Sequence, residues 1–334
     1  MRPLKSSPKR NAIVSFIALS ALSLAACGNG AGPSTEGDQA ASTNGEMEKI
    51  TLGVMPLVDL APLHLGVDQG IFEEHGLEVE LVTAQGGAAI IPAVTSGQYE
   101  FGFSNPTSVI IAKSQGLDVV VVAPGGTSTG DEETDYGATV VLPDSGIETA
   151  ADLEGKRVAV NTLNNISDST VKEAVRNAGG DPNEVEMVEL AFPDMVPGVE
   201  QGTVDAAFLV EPFLTMGLNA GFEPIAWNWI EVSPDLMASS YFTTQELADE
   251  QPELVEKFQN AMAESAQYAE EHPEETRNII TSYTEIPEEI TETMRLPRWV
   301  DSVDQESLDR LIEISIEDGL LEEDVQLEDL VLQN

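Results

Sequence analysis

The sequence predicts an α/β protein with two lobes, each a mostly parallel sheet flanked by helices, and a cleft between the lobes. Strand-like and helix-like stretches alternate from about residue 49 to residue 219, at a spacing that requires crossover connections. A polar, acidic break at 125–136 separates two similar series of such stretches. From about Pro234 the chain is almost wholly helical. The roughly 290 residues of this body are enough for two lobes.

The N-terminus has the pattern of an export signal. Residues 1–11 carry four basic residues and no acid, and 12–24 form an apolar run that only serines interrupt. That run is too short to span a bilayer stably. Ala25 and Ala26 then precede Cys27, the one cysteine of the chain. This resembles the lipobox of bacterial lipoproteins, which implies cleavage before Cys27 and lipid attachment to it. An ordinary secretory signal with an accidental cysteine is the alternative.

A flexible tether is predicted between this signal and the folded body. Residues 28–46 are mostly Gly, Ser, Thr, Ala and Asn, a composition that cannot bury enough apolar surface to fold. The predicted organisation has five parts: a signal peptide at 1–26, a tether at 27–47, the first part of lobe 1 at 48–137, lobe 2 at 138–232, and a helical return at 233–334 that completes lobe 1.

The first series of elements is marked by apolar strands between glycine-bounded helices. Strands are predicted at 49–55, 77–82, 99–103 and 119–122, and helices at 62–69, 88–95 and 106–115. Gly70 and Gly76 stand where a left-handed backbone ends a helix or forms a turn. Asn105 before Pro106 is typical of a helix N-cap followed by proline at the first helical position.

The second series repeats the pattern, and the return is helical. Strands are predicted at 138–142, 157–161, 185–189 and 206–210, and helices at 168–178, 194–201 and 212–219. Trp227 and Trp229 alternate with Asn228 as on a strand. Helix-period apolar residues then recur in the return, at Leu254, Phe258, Ala261, Met262 and Ala266, and at Leu308, Leu311, Ile312 and Ile316.

The charge balance argues against two classes of partner. The chain has 15 Lys and Arg against 59 Asp and Glu. Removal of the first 26 residues, which carry four basic residues and no acid, leaves 11 against 59, a net charge of −48. Nucleic acids and anionic membrane surfaces are therefore not expected partners. The acids lie mostly on helical segments, and we interpret the surplus as an adaptation to salt.

Several stretches, in a fixed order, carry a family resemblance. They are Gly53 with 61–66 (APLHLG) and 70–80 (GIFEEHGLEVE), 86–87 (GG), 96–102 (SGQYEFG), 151–160 (ADLEGKRVAV), and 202–207 (GTVDAA) with 211–212 (EP). Over about 49–213 the chain resembles the extracytoplasmic binding proteins for sulfonates, taurine, nitrate and thiamine pyrimidine precursors. The resemblance implies a type II periplasmic-binding-protein fold, a small-molecule solute, and an ABC permease and its ATPase as partners.

Candidate ligand-binding residues lie in loops at the carboxyl ends of the predicted strands, where open α/β sheets bind their ligands. They are Leu57, Asp59, Gly86, Gly87, Ser104, Asn105 and Thr107 from the first lobe, and Asn161, Asn164, Ser167, Phe192 and Glu211 from the second. Asn105, Ser167 and Glu211 have an alternative role as helix caps.

The chemistry of these loops favours a neutral or cationic nitrogenous solute, such as a pyrimidine, over nitrate or a sulfonate. None of the loops contains Lys or Arg, whereas Asp59, Asp168, Asp194 and Glu211 lie in or beside them. Six aromatic residues near the predicted cleft are candidates for stacking on such a solute or for core packing: Phe103, Phe192, Phe213, Trp227, Trp229 and Tyr241.

An enzymatic function is not predicted. His64, His75 and His272 are scattered, and the chain has no phosphate-binding loop, GxSxG elbow or cysteine zinc pattern. No cofactor, metal or catalytic residue is expected. We predict a monomeric, extracytoplasmic lipoprotein on the outer face of the cell membrane, whose lobes close over the solute. A secreted enzyme related to pyrimidine-precursor synthases, a metal-ion-binding lipoprotein and a tethered sensor module remain as alternatives.

Overall fold

A computed structural model describes residues 47–84, 86–322 and 330–332. The predicted signal peptide, Cys27 and all but the last residue of the predicted tether lie outside the described residues. In the part of the chain that is described, no helix combines the length and apolarity needed to cross a membrane.

The first sheet has five strands and takes one of them from the C-terminal third. In sheet order they are β2 (Leu77–Thr83), β1 (Glu48–Val54), β3 (Phe101–Ser104), β11 (Ser240–Thr243) and β4 (Val120–Pro124). β1 pairs in parallel with β2 and β3, whereas β11 pairs antiparallel with β3 and β4. Four strands therefore run in one direction and β11 runs against them. The intervening helices are α1 (Ala61–Asp68), α2 (Ile71–Glu74), α3 (Gly87–Thr95) and α4 (Pro106–Ser114).

The second sheet repeats this arrangement. Its order is β10 (Glu223–Ala226), β6 (Gly137–Val141), β9 (Ala206–Val210), β7 (Arg157–Val160) and β8 (Glu186–Glu189). Here β6 runs against the other four strands. The helices of this region are α5 (Ile166–Asn177), α6 (Phe192–Glu200), α7 (Phe213–Asn219) and α8 (Asn228–Val232). Single 3-10 turns lie at Val58–Leu60, Ala150–Leu153 and Pro182–Glu184.

Two connections link the sheets. The first runs from β4 through β5 (Gly126–Thr127) to β6, and the second runs from α8 to β11. β5 pairs antiparallel with the short strand β12 (Arg298–Trp299).

The C-terminal third packs mainly against the first sheet. Its helices are α9 (Gln245–Glu250), α10 (Pro252–Glu271), α11 (Pro273–Tyr283), α12 (Glu288–Thr291) and α13 (Gln305–Glu317). α10 contacts α1 and β4, and Phe258 of α10 stacks on Phe101 of β3 with ring centroids 4.0 Å apart. α13 instead contacts both α4 and α5.

A buried ion-pair cluster joins α5 to α13. Glu173 of α5 pairs with Arg176 and with Arg310 of α13. Arg176 also pairs with Asp318 at 2.7 Å. The side chains of Glu173 and Asp318 are each 2% exposed, so both acids are buried beside the arginines that partly offset their charge, and Lys172 adds a positive charge near Asp318.

The structure confirms the predicted α/β class with two flanked sheets, and most element bounds lie within two residues of prediction. The strand predicted at Trp227–Trp229 is wrong, because Asn228–Val232 form helix α8. Asn228, Trp229 and Val232 are its buried residues, a helical spacing that the short alternation concealed. Ile316 is also not a core residue, since it is 39% exposed and Ser315 takes the buried position beside it.

Candidate functional site

A cavity of about 40 Å³ lies between the two sheets. Residues from both sheets and from the second connection form its walls: Met55, Leu57, Asp59, Phe103, Asn105, Asn161, Asn165, Ile166, Ser167, Phe192, Phe208, Val210, Trp229, Ala238 and Ser239. Six of the twelve predicted ligand-binding residues thus meet here, namely Leu57, Asp59, Asn105, Asn161, Ser167 and Phe192. The predicted residues outside this lining are Gly86, Gly87, Ser104, Thr107, Asn164 and Glu211.

Asp59 lies in the 3-10 turn that follows β1, and its side chain is buried against both connections. Its Oδ1 atom accepts a hydrogen bond from Ser239 Oγ at 2.7 Å and one from Tyr136 Oη at 3.3 Å. Tyr136 directly precedes β6, and Ser239 directly precedes β11. Burial raises the pKa of Asp59, and these hydrogen bonds oppose the shift only in part. The carboxyl group therefore occupies the base of the cavity where the sheets are joined.

The neighbouring residue Leu57 is held by the C-terminal third. Its carbonyl oxygen accepts a hydrogen bond from Tyr283 Oη of α11 at 3.0 Å. The same carbonyl oxygen accepts from the backbone N–H of Leu60 at 3.2 Å, and this backbone bond begins the 3-10 turn.

Asn105 both caps α4 and lines the cavity. Its Oδ1 accepts from the backbone N–H of Ser108 at 2.9 Å, and its Nδ2 lies 3.1 Å from Ser108 Oγ. The capping and lining roles predicted for Asn105 thus coexist. Ser104 precedes it and Thr107 follows two residues later, and in the described part of the chain their hydroxyl oxygens are buried without a hydrogen-bond partner.

Two glycines allow the loop before α3 to pass close to neighbouring side chains. A Cβ atom on Gly87 would lie 2.1 Å from Ser104 Oγ, so α3 can begin this near β3 only with glycine. A Cβ atom on Gly86 would lie 3.0 Å from Thr162 Oγ1, which belongs to the loop after β7. Gly86 is therefore a point where loops of the two sheets approach each other.

The opposite wall is a hydrogen-bonded polar loop before α5. Asn161 Oδ1 accepts from Ser167 Oγ at 2.6 Å and from Asn165 Nδ2 at 3.3 Å. Asn165 caps α5 by accepting from Ser167 N, and Asp168 accepts from the backbone N–H groups of Asn165 and Asn164. Burial raises the pKa of Asp168 against these backbone hydrogen bonds. Asn164 is exposed, with a φ of 56°.

Aromatic side chains form much of the remaining wall. Phe192 stacks on Phe213 at 5.7 Å between ring centroids, and Phe208 meets Trp229 edge to face at 5.0 Å. Trp229 Nε1 is buried with no hydrogen-bond partner among residues that the structure describes. Of the six aromatics predicted near the cleft, Phe103, Phe192 and Trp229 line the cavity. Phe213 and Tyr241 pack behind them, while the guanidinium of Arg295 lies 5.3 Å from the ring of Trp227.

Glu211 lies outside the cavity lining, and its carboxylate is occupied by protein groups. It accepts from the backbone N–H and the hydroxyl of Thr215 at 3.0 and 2.7 Å, and from the backbone N–H of Arg295 at 3.1 Å. Burial raises its pKa. Glu211 therefore satisfies the first turn of α7 and ties it to the C-terminal third.

Some of the lining residues do not belong to any pattern from which the sequence could have predicted a binding role. Ser239 and Ala238 belong to a connection without a motif, and Phe208 and Val210 read as ordinary strand residues. Asn165 was not predicted, although it lies between the predicted residues Asn164 and Ser167. Across the ranges 47–84, 86–322 and 330–332, no group of three or more His, Cys, Asp or Glu is arranged to hold a metal ion.

Comparisons with known proteins give a consistent picture. The family model described as NMT1/THI5 like matches residues 58–276. A protein of Brachyspira hyodysenteriae, provisionally named an ABC transporter periplasmic binding protein, is 29% identical over 203 residues, which are 57% of this chain and 54% of that one. The chain thus spans about half the length of that relative.

A second relative is named for the solute it binds. The formylaminopyrimidine-binding protein of Halalkalibacterium halodurans is 23% identical over 221 residues, covering 65% of this chain and 64% of that one.

The fold is also found among solved structures. The periplasmic aliphatic sulphonate binding protein of Escherichia coli matches with a TM-score of 0.72 and 18% identity, over 86% of this chain and 92% of that one. The predicted type II periplasmic-binding-protein fold is thereby confirmed. Since the family model covers well over half of the chain, the protein belongs to the NMT1/THI5-like family.

Proposed function

We propose that this protein is the solute-binding component of an ABC importer. The observation that carries the proposal is the cavity between the two sheets, because both sheets and one of their connections supply its lining. Ligand sites in proteins are concave and mostly apolar, with a few convergent polar groups. The cavity has that character, since aromatic walls surround Asp59, Asn105 and Asn161. Family membership supports the same function.

The small size of the cavity supports movement of the lobes. Its volume of about 40 Å³ is well below the roughly 300–1,000 Å³ of most small-molecule sites. We propose that each sheet with its helices forms one lobe, with the boundaries predicted from the sequence. The lobes separate to admit solute and close over it, and the two connections act as hinges. Contacts made only in the closed form would then shift the population toward that form.

The proposed setting is extracytoplasmic. Cleavage before Cys27 and lipid attachment there would hold a monomeric body near a permease and its ATPase. Replacement of Cys27 by Ser tests the anchor, because it should release the protein from membranes and abolish incorporation of labelled palmitate. Retention of the C27S variant in the membrane fraction would contradict lipid attachment.

We propose binding rather than catalysis as the activity. Among the described residues that line the cavity, Asp59 is the one titratable side chain, and it is held in place by hydrogen bonds from Ser239 and Tyr136. The polar groups that face the cavity are fixed by hydrogen bonds to one another or to helix ends. Such fixed donors and acceptors suit recognition of a solute.

Thermal unfolding with a solute panel tests the function. The panel contains sulfonates, taurine, nitrate, aminopyrimidines and quaternary amines. A ligand at about 100 times its Kd should add roughly 2.7 kcal/mol to the free energy of unfolding and raise Tm by several degrees. Small-angle X-ray scattering with that ligand should show compaction. Absence of both effects across the panel would count against a solute-binding function.

A matched pair of variants separates cleft binding from surface effects. Asn161→Ala removes the acceptor that holds Ser167 in the cavity wall, and should reduce the ligand-induced Tm shift. Asn183→Ala changes an exposed asparagine outside the lining and should leave that shift unchanged. Deletion of the gene should also abolish uptake of the identified solute. Binding without any effect on uptake would favour the tethered sensor.

A further inference from the structure

We propose that the solute carries a positively charged nitrogen, which pairs with Asp59 at the base of the cleft. This inference rests on the proposed solute-binding function and adds the chemical class of the solute. It depends on three features of the cavity: the position of Asp59, the distribution of cations around it, and the aromatic rings opposite.

The position of Asp59 directs one carboxylate into the cavity. The residue is 4% exposed, yet it lines the cavity. Ser239 Oγ and Tyr136 Oη both donate to Oδ1. These two donors fix the orientation of the carboxylate, but a neutral hydroxyl does not supply a counter-charge. A buried carboxylate without a cation is costly, and a cationic solute would remove that cost.

The basic residues near this region interact with acids other than Asp59. None of the described lining residues is Lys or Arg. Arg295 lies 4.0 Å from Glu211, and Arg298 pairs with Asp235 at 2.6 Å. An oxyanion in the cavity would therefore face the Asp59 carboxylate without a basic side chain to offset the repulsion. In a low-dielectric cleft that repulsion is much larger than in water.

The aromatic walls fit the same class of solute. Phe103, Phe192, Phe208 and Trp229 all line the cavity. Ring faces attract cations through their quadrupole, and the attraction grows when the cation is desolvated. The combination of one buried carboxylate with several rings therefore favours an organic cation, such as an amidinium, guanidinium or substituted ammonium, over a sulfonate or nitrate.

Two sets of equal-shaped compounds test the inference by isothermal titration calorimetry on the full chain. Guanidinium, urea and nitrate are planar and similar in size, with charges of +1, 0 and −1. Benzamidine, benzamide and benzoate form a larger set with the same three charges. The denaturants are used at concentrations too low to unfold protein. We expect the cation of at least one set to bind at least tenfold more tightly than its neutral partner, and the anions not to bind.

Asp59→Asn provides the decisive variant. Asparagine keeps the shape and an oxygen acceptor for Ser239 and Tyr136 but removes the charge, so the variant should fold. It should lower the affinity for the cation at least tenfold and bring it close to that of the neutral partner. Asp144→Asn, on an exposed turn, is the matched control and should change neither affinity.

The outcomes separate the inference from the function on which it rests. If nitrate or benzoate binds the wild-type protein more tightly than the cation of its set, the protein is a solute-binding protein but the inference is wrong. Unchanged cation affinity in Asp59→Asn would also overturn it. Binding by no compound of either set overturns the inference as well, and the wider panel and scattering experiment then decide the function.

Discussion

At the scale of single residues, the ionised Asp59 carboxylate lowers the stability of the fold at neutral pH. Burial raises the pKa of its carboxyl group above the value of 3.8 expected for an unperturbed aspartate. The folded protein therefore holds this proton more tightly than the unfolded chain does. This tighter proton binding stabilises the folded protein. Its contribution is fully present below the pKa that Asp59 has in the unfolded chain, and it is lost as pH rises through the pKa of the folded protein.

Comparison of Asp59→Asn with wild type should isolate this effect. The two proteins should have similar free energies of unfolding near pH 4, and the variant should become the more stable one as pH rises toward neutrality. Urea unfolding at a series of pH values, without solute, measures the difference. Other buried acids, including Asp135, Asp168 and Glu211, titrate in both proteins and cancel in the comparison. A wild-type protein that is more stable than the variant at neutral pH would contradict the assignment.

Asn105 allows capping to be separated from contact with the cavity. Asn105→Ala removes the acceptor for Ser108 N–H and should lower the free energy of unfolding by about 1 kcal/mol. Asn105→Asp keeps an acceptor and places a negative charge at the start of α4, so stability should be unchanged or slightly higher. Urea unfolding of both variants measures this. An equal loss in both would show that the side chain does not act as a cap.

At the scale of elements, the α5–α13 ion-pair cluster should be a main determinant of stability. Arg176→Met leaves Asp318 without its bonded partner and Glu173 with only Arg310. We expect a loss of about 3 kcal/mol in the free energy of unfolding, because the acids are buried while Arg176 remains partly exposed. Denaturant unfolding checks this value.

A surface ion pair serves as the matched control for that experiment. Lys257 pairs with Glu48, and both side chains are at least 36% exposed. Lys257→Met should therefore change the free energy of unfolding by less than about 1 kcal/mol. Similar effects of the two substitutions would mean that burial of the α5–α13 cluster does not set its contribution.

Elements also show what the sequence can and cannot predict. The short apolar runs of β4 and β9 were predicted correctly as strands, because a run of four or five apolar residues bounded by turns is typical of a buried strand. α8 was mistaken for a strand, since three residues of alternation do not distinguish the two periods. Of the twelve ligand-binding residues predicted in the loops at strand ends, six line the cavity. Ser239 was missed because its role depends on β11 returning to the first sheet, which no local pattern indicates.

At the scale of the whole molecule, charge should make stability depend strongly on salt. The chain has a formal net charge of −44, and the acids repel one another at low ionic strength. Added KCl should therefore raise Tm steadily, because screening shortens the range of this repulsion. Differential scanning calorimetry over a range of salt concentrations measures it. A Tm that stays constant or falls with salt would exclude the adaptation to salt proposed from the sequence.

The position of β11 in the first sheet also determines when that sheet can form during synthesis. β11 lies between β3 and β4 and pairs with both, but it is made only after the whole second sheet. Until Ser240–Thr243 emerge, the facing edges of β3 and β4 have unpaired N–H and C=O groups. Such edges promote aggregation of incomplete chains. A fragment ending before Ser240 would contain every residue of the cavity lining. It would still lack β11, the strand that joins β3 to β4 in the first sheet.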